Sequence, residues 1–277
     1  VSYTWDPGAE DAPLDIAFIG WVRIITGCVF LAVILLIGLL LTGVFRLIEK
    51  SIFGLHRPIT PYFTQVVSRV LLLVLGIAYA HEGEGMKTPG AIVSNHSSWL
   101  DIFILYAHMR VYFLSKAEVA NWPGIGFLTR LVGTLFIARD RKQVKAQARL
   151  IEERLLAGQR LAFFPEGTST DGMRILPFNS TLFQSFFNPD IIDEMYIQPV
   201  SIIYTAPEGL DKRFYGWWGN MDFGPHFLKI LALRQNGSVR VIYHPAVKVD
   251  EFTSRKKLAA HVESVVRQGM PPERRIS

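Results

Sequence analysis

Hydrophobic and polar positions follow three different patterns along the chain. Near the N-terminus, Ile24 to Phe45 reads IITGCVFLAVILLIGLLLTGVF without a charged residue. At about 1.5 Å per helical residue such a run can cross a hydrocarbon layer of roughly 30 Å, so it predicts a membrane helix. After Pro58 and Pro61 comes a second apolar segment, Tyr62 to Ala80, interrupted by Arg69. It either spans the membrane or lies in the interface, paired with the first segment as a helical hairpin. From residue 82 onward the pattern changes to that of a soluble domain. The short apolar runs AIVS (91–94), VYFLS (111–115), TLFIA (134–138), LAFF (161–164), YIQPVSIIY (196–204) and VRVIYH (239–244) read as strands. Helical patterns stand between or after them at 99–109, at 141–158 with Gly158 as a stop, and near 252–268. This alternation predicts an α/β fold, a mixed and partly parallel sheet flanked by helices, with an N-terminal membrane-embedded helical pair. Residues 1–81 form the leader and membrane pair, and 82–277 the α/β domain.

Charge adds an orientation. Arg46, Lys50, His56 and Arg57 follow the first apolar run and only Arg23 closely precedes it, which places the downstream chain in the cytoplasm and the protein in the inner, cytoplasmic membrane. Residues 1–15 hold Asp6, Glu10, Asp11 and Asp15 and read as a loose leader rather than the basic start of a signal peptide. The net charge of +5 suits anionic membrane lipids or an acidic carrier. Nucleic acid is a poor fit, because the basic residues are scattered. Cys28, the one cysteine, lies inside the apolar run, so no intrachain disulfide forms and a cysteine nucleophile is not expected.

Three polar segments interrupt the apolar pattern of the second domain. In SNHSSWLD (94–101) a buried strand ends and a helix begins, with His96 five positions before Asp101. Histidine suits proton abstraction near neutral pH, and a carboxylate on its far nitrogen would fix the tautomer. Residues five apart on one helix point about 140° from each other, so the pair meets only if His96 sits on the turn. Ser97 or Ser98 then serves as the N-cap. In FFPEGTST (163–170) a strand runs into Glu166, Gly167 and Thr168, offering an acceptor for substrate hydroxyls and exposed backbone N–H groups. GTLFIARDR (133–141) delivers Arg139 to the same sheet edge, and Lys116 follows another strand. Taken singly, the His96–Asp101 pair, Arg139 and Lys116 are more often satisfied turn residues or surface charges, and the Glu166 turn is as often a strand-to-loop turn with a solvated Glu.

Taken in order, NHSSWLD, GTLFIAR, FFPEGT and the Pro199 segment IQPVSI resemble the four sequence blocks of the glycerolipid acyltransferase family, over about residues 90–205. The resemblance implies an acyl-CoA or acyl carrier protein thioester as donor, a lyso-lipid acceptor, and neither metal nor bound cofactor. It implies His96 and Asp101 as the catalytic pair. It also implies substrate-binding roles for Lys116, Gly133, Arg139, Glu166, Gly167 and Thr168.

The chain departs from the family at two places. Ser169 and Asn179 stand where members that make phosphatidic acid carry cations, leaving Arg139 and Arg174. Losing two phosphate-pairing groups points to an acceptor without a phosphomonoester, such as a lyso-aminolipid of the lyso-ornithine-lipid type. The segment WWGNMDFGPHFLKIL (217–231) resembles the same branch. Acylation of 1-acylglycerol-3-phosphate is the alternative; a thioesterase and a non-enzymatic scaffold are the readings outside the class.

Overall fold

A computed structural model describes residues 5–6, 15–122, 124–138, 144–234 and 236–275. In chain order the elements are α1 (Phe18–Phe53), α2 (Thr60–Val74), β1 (Ala78–Glu82), β2 (Gly90–Ser94), α3 (Leu100–His108), β3 (Tyr112–Lys116), α4 (Ile125–Val132), β4 (Leu135–Ile137) and α5 (Val144–Leu156). They continue with β5 (Arg160–Phe163), β6 (Tyr196–Thr205), α6 (Phe223–Ala232), β7 (Ser238–Tyr243), β8 (Val247–Lys248) and α7 (Arg255–Gly269). The strands form one mixed sheet in the order β1-β7-β6-β2-β5-β3-β4, with β8 also paired to β6. β6, β2, β5, β3 and β4 run parallel, so their carboxyl ends share one edge; β7 and β8 run antiparallel to β6. β2 is buried at every position, as expected of a strand covered on both faces. Two apolar layers result, one against α1, α2, α3 and α6 and the other against α5, α7 and the 3₁₀ segment Ser180–Phe187.

Pro199 lies in β6, where a missing N–H would normally break the ladder. It sits between the stretch of β6 paired with β8, which ends at Ile197, and the stretch paired with β7, which begins at Val200. Gln198 bridges the gap, accepting from Met86 N and donating to Glu84 O and His244 O.

Among the described residues α1 is the one helix long and apolar enough to cross a membrane; its 36 residues extend about 54 Å. One stripe along it is buried: Gly20, Ile24, Leu31, Gly38, Thr42 and Glu49. Close approach explains two of its glycines. A Cβ at Gly27 would come 2.8 Å from Leu231 of α6, and one at Gly38 would come 2.6 Å from Val67 of α2. The opposite face exposes Phe18, Ile25, Val29, Leu36, Leu40 and Leu47, an apolar surface that fits membrane association.

The second apolar segment divides where the sequence suggested continuity. α2 stops at Val74, and 15 residues reach only about 22 Å, short of a bilayer core. Gly76 turns the chain at φ +66°, and Ala78–Glu82 joins the sheet beside β7. The sheet thus begins four residues before the expected start of the second domain. Arg69 follows from the same packing: its Nε donates to Ala107 O at the end of α3, 2.7 Å away, and Gln65 donates to His108 O. The charge that interrupts the apolar run caps a neighbouring helix.

Candidate active site

The turn after β2 carries His96, and two other chain segments hold that turn by its backbone. His96 N donates to Glu166 Oε1 at 2.6 Å, while His96 O accepts from Thr170 N at 3.0 Å. Ser97 O accepts from Trp217 N at 2.8 Å. Just before the turn, Asn95 pairs with Ile202 through both side-chain atoms, donating to its carbonyl and accepting from its N–H. The imidazole stacks on Phe164, centroids 4.1 Å apart and planes 8° from parallel, and Phe164 lies on Phe113.

His96 and Asp101 meet. Nδ1 of His96 lies 2.8 Å from Oδ2 of Asp101, whose side chain is fully buried while the imidazole is 18 % exposed. The carboxylate is fixed from all sides. Oδ2 also accepts from Ser97 N and Ser98 N at 2.7 and 3.0 Å, and Oδ1 accepts from Tyr204 Oη at 2.6 Å. Asp101 thus satisfies the amides ahead of α3, a place where the helix dipole also favours negative charge. The N-cap expected of Ser97 or Ser98 is corrected here: Asp101 reaches back for their amides, and Ser98 Oγ accepts from Leu100 N only at 3.4 Å. Burial, with the Asp101 charge beside it, lifts the Tyr204 hydroxyl well above its ordinary range, so it stays a donor. Nε2 of His96 makes no hydrogen bond among the described residues.

Glu166 is tied to the fold more tightly than a residue that only holds substrate. It is 7 % exposed, and its second oxygen accepts from Leu176 N at 2.7 Å, so one carboxyl joins the turns at 96, 166 and 176. Burial outweighs these two amide donors and pushes its pKa up to about 8. Gly167, at φ +72°, closes a tight turn with its N–H on Phe164 O, so this amide is not free to meet an oxyanion. Thr168 Oγ1 accepts from Trp5 N at 3.4 Å.

Gly133 packs against the α1–α2 connection. It ends α4 at φ +92°, a Cβ there would lie 2.8 Å from the Arg57 guanidinium, and its carbonyl accepts from Arg154. Lys116 closes β3 beside Ile137 of β4, on the edge that carries His96 two strands away, roughly 10 Å. Arg139 lies outside the described residues. Ser169 donates its hydroxyl to Trp217 O, and Asn179 caps Ser180–Phe187 by accepting from Thr181 N. Both positions that lack the family's cations serve the fold. Among the described residues no three His, Cys, Asp or Glu side chains gather to hold a metal ion.

Sequence reasoning did not reach Tyr204 or Trp5. Tyr204 was visible as the tyrosine closing a buried strand, but nothing tied it to a residue 103 positions away. Trp5 belongs to the segment read as a loose leader. In the structure it is held by Thr168, by Gly219 N on its carbonyl, and by Arg174 over its ring.

A histidine oriented by a buried carboxylate, on a turn at the carboxyl edge of a parallel sheet, is equipped to take a proton from a hydroxyl. Residues 76–203 match the acyltransferase family. The chain belongs to that family. It is 50% identical, over 240 residues and 87% of each chain, to the lyso-ornithine lipid O-acyltransferase of Rhodobacter capsulatus. It is 35% identical to that of Brucella abortus, over 77% of this chain and 82% of the relative. The fold is that of the 1-acyl-sn-glycerophosphate (LPA) acyltransferase PlsC from Thermotoga maritima, with a TM-score of 0.62 at 21% identity, over 90% of this chain and 95% of that one.

Proposed function

We propose that this enzyme transfers a fatty acyl chain from an acyl carrier protein or CoA thioester to the hydroxyl of a lyso-ornithine-type aminolipid. The observation that carries the reading is the Nδ1 contact of His96 with the pinned Asp101 carboxylate. Nε2 takes the proton of the acceptor hydroxyl as its oxygen attacks the thioester carbonyl. Asp101 keeps the ring in the needed tautomer and stabilises the imidazolium. The tetrahedral intermediate collapses, the C–S bond breaks, and the imidazolium returns its proton to the leaving thiolate. Lys116, at the same sheet edge, is our candidate for the developing oxyanion. Donor, acceptor and enzyme are brought together on a surface, which removes much of the entropic barrier to meeting.

The acceptor follows from the 50% and 35% identical relatives, both named for lyso-ornithine lipid, and from the engaged side chains of Ser169 and Asn179. Acylation of 1-acyl-sn-glycerol-3-phosphate is the second reading. It is favoured by 40% identity to the Neisseria gonorrhoeae enzyme of that name, over 34% of this chain. The basic residues that follow the apolar run Ile24–Phe45 favour an α/β domain on the cytoplasmic face of the inner membrane. The reading divides the chain near residue 82 into a membrane-bound pair and a catalytic domain. Membranes carrying the enzyme, supplied with acyl thioester and either lyso-lipid, test it. Ornithine lipid should form at least about tenfold faster than phosphatidic acid, a difference of ~1.4 kcal/mol in the transition state. Thioester loss independent of any acceptor, or a preference for the phosphate lipid, would reject it.

A further inference from the structure

Among the described residues near the His96 turn, the Arg174 guanidinium is not consumed by the fold. Thr170, whose N–H and hydroxyl both bond His96 O, stands four residues before Arg174. The Arg174 side chain is 40 % exposed and makes no hydrogen bond among the described residues. Its ion pair to Asp171 is stretched to 3.5 Å. Neighbouring arginines are engaged. Arg213 is held by both oxygens of Asp211, Arg267 binds Ile175 O and Glu263, and Arg274 binds Tyr204 O.

Arg174 also has a platform. Its Cζ lies 4.9 Å over the ring of Trp5, and the Trp5 backbone is fastened on both sides, N–H to Thr168 Oγ1 and carbonyl from Gly219 N. A guanidinium stacked on an indole keeps an edge available for a planar, bidentate partner, and with Nε of Arg174 buried that edge is the one formed by its two Nη atoms. Asp171 sets the sign of what can approach. It is 4 % exposed, held by Met173 N on Oδ1, and packed so closely on Gly216 that a Cβ there would come 2.8 Å from its Cα. A fixed carboxylate beside the guanidinium tolerates one added negative charge better than the two of a phosphomonoester.

We propose that Arg174, seated on Trp5, binds the free carboxylate of the acceptor's amino-acid headgroup and, with Asp171, selects it over a phosphomonoester. This rests on the acceptor assigned under the proposed function. It gives the N-terminal segment a part in acceptor recognition and explains how the site works without cations at Ser169 and Asn179.

Steady-state kinetics in mixed micelles on three acceptors test this: lyso-ornithine lipid, its carboxamide analogue, and 1-acylglycerol-3-phosphate. Arg174→Gln should raise KM for lyso-ornithine lipid by about 10- to 100-fold, as expected for losing a charge-assisted bidentate pair, with kcat within about threefold. It should leave KM for the carboxamide unchanged, because wild type already lacks the contact there. Trp5→Ala should act in the same direction by about three- to fivefold, and Arg174→Lys should fall between wild type and Arg174→Gln. An unchanged KM in Arg174→Gln, or an equal rise on the carboxamide, overturns the inference while the acceptor assignment stands. Failure of wild type to acylate lyso-ornithine lipid would instead remove that assignment, and the inference with it.

Discussion

His96 and His244 each place a ring nitrogen 2.8 Å from a buried partner, yet the two rings are wired oppositely. His96 gives Nδ1 to a carboxylate that has no proton to offer, and its Nε2 is left for a substrate. His244 gives Nε2 to Ser201 Oγ, which already donates its single hydrogen to Val266 O at 2.8 Å. Ser201 must therefore accept from the ring and has no proton for it to take. Ser201 is fully buried, and a Cβ on Gly269 would come 2.8 Å from His244 Nε2, so the end of α7 seals the pair. His226 is sealed further, accepting from Trp99 through Nδ1 and donating to Gly216 O through Nε2. Burial lowers its pKa to about 4. A histidine beside a hydroxyl or carboxylate is therefore not yet a catalytic group. The direction of each hydrogen bond decides, and so does the atom left over.

The strongest way to break this contrast is at His96. His96→Ala removes the proton acceptor and should lower kcat by about 10⁴-fold, the upper range for general base catalysis, with membrane association intact. Single-turnover acyl transfer measures it. Turnover within tenfold of wild type would mean that some other group takes the proton.

Next in size is the carboxyl that holds the His96 turn from behind. Glu166→Gln keeps the shape but presents one amide donor where two acceptors are needed, and should cost about 10²-fold in kcat. It also has a pH signature. In the folded protein Glu166 titrates near 8, above the 4.5 of an unperturbed side chain, because burial disfavours its charge. A raised acid contributes stability that is full below about 4.5 and is lost as pH rises through about 8. The wild-type melting temperature should fall between about pH 5 and pH 8 and level off above that, and Glu166→Gln should flatten that fall. Equal slopes for the two proteins would show that Glu166 is charged throughout.

Much of this architecture could be read from the chain, and what could not has a common cause. The strands bounded at 91–94, 161–164 and 196–204 fall within a residue or two of β2, β5 and β6, because each is an apolar run buried on both faces. The His96 turn was legible because polar residues end such a run abruptly. β1 was hidden: AYAHE is largely exposed at a sheet edge, and its partner Ser238–Tyr243 lies some 160 residues away. Arg69, Tyr204 and Trp5 were hidden likewise. Each finds its partner across 38, 103 and 163 positions, a pairing that local pattern does not encode. The packing of Gly133 was hidden too, since the Arg57 guanidinium that its lack of a side chain accommodates comes from the α1–α2 connection.

A milder test bears on how firmly Asp101 must be held. Tyr204→Phe removes one of the four donors to that carboxylate and leaves Oδ1 without its 2.6 Å partner. The remaining three, from His96, Ser97 and Ser98, all reach Oδ2 and keep the group in place. We expect about a tenfold loss in kcat with KM for both substrates within twofold, which steady-state kinetics would resolve; this is far less than the loss at His96. A loss as large as that of His96→Ala would mean that Tyr204 itself touches the reacting atoms.

The smallest effect on turnover should come from the other histidine pair. Ser201→Ala strands the Nε2 hydrogen of His244 and the carbonyl of Val266, both beneath the end of α7. Two buried groups losing one shared partner costs about 1–3 kcal/mol of stability, which thermal melting would register as a drop of several degrees. Because β7 runs antiparallel to β6, its end at Tyr243 pairs with Val200, whereas β6 continues to Thr205 on the edge where the carboxyl ends gather. Val200 in turn pairs with Ser94 of β2, so His244, its N–H on Pro199 O, lies on the far side of β6 from the His96 turn, at the end of a strand that runs back from that edge. Acyl transfer measured well below the melting point should stay within about twofold of wild type. If turnover instead vanished while the melting curve stayed put, Ser201 would have to release a proton to His244, and the difference in wiring between the two rings would no longer separate catalyst from scaffold.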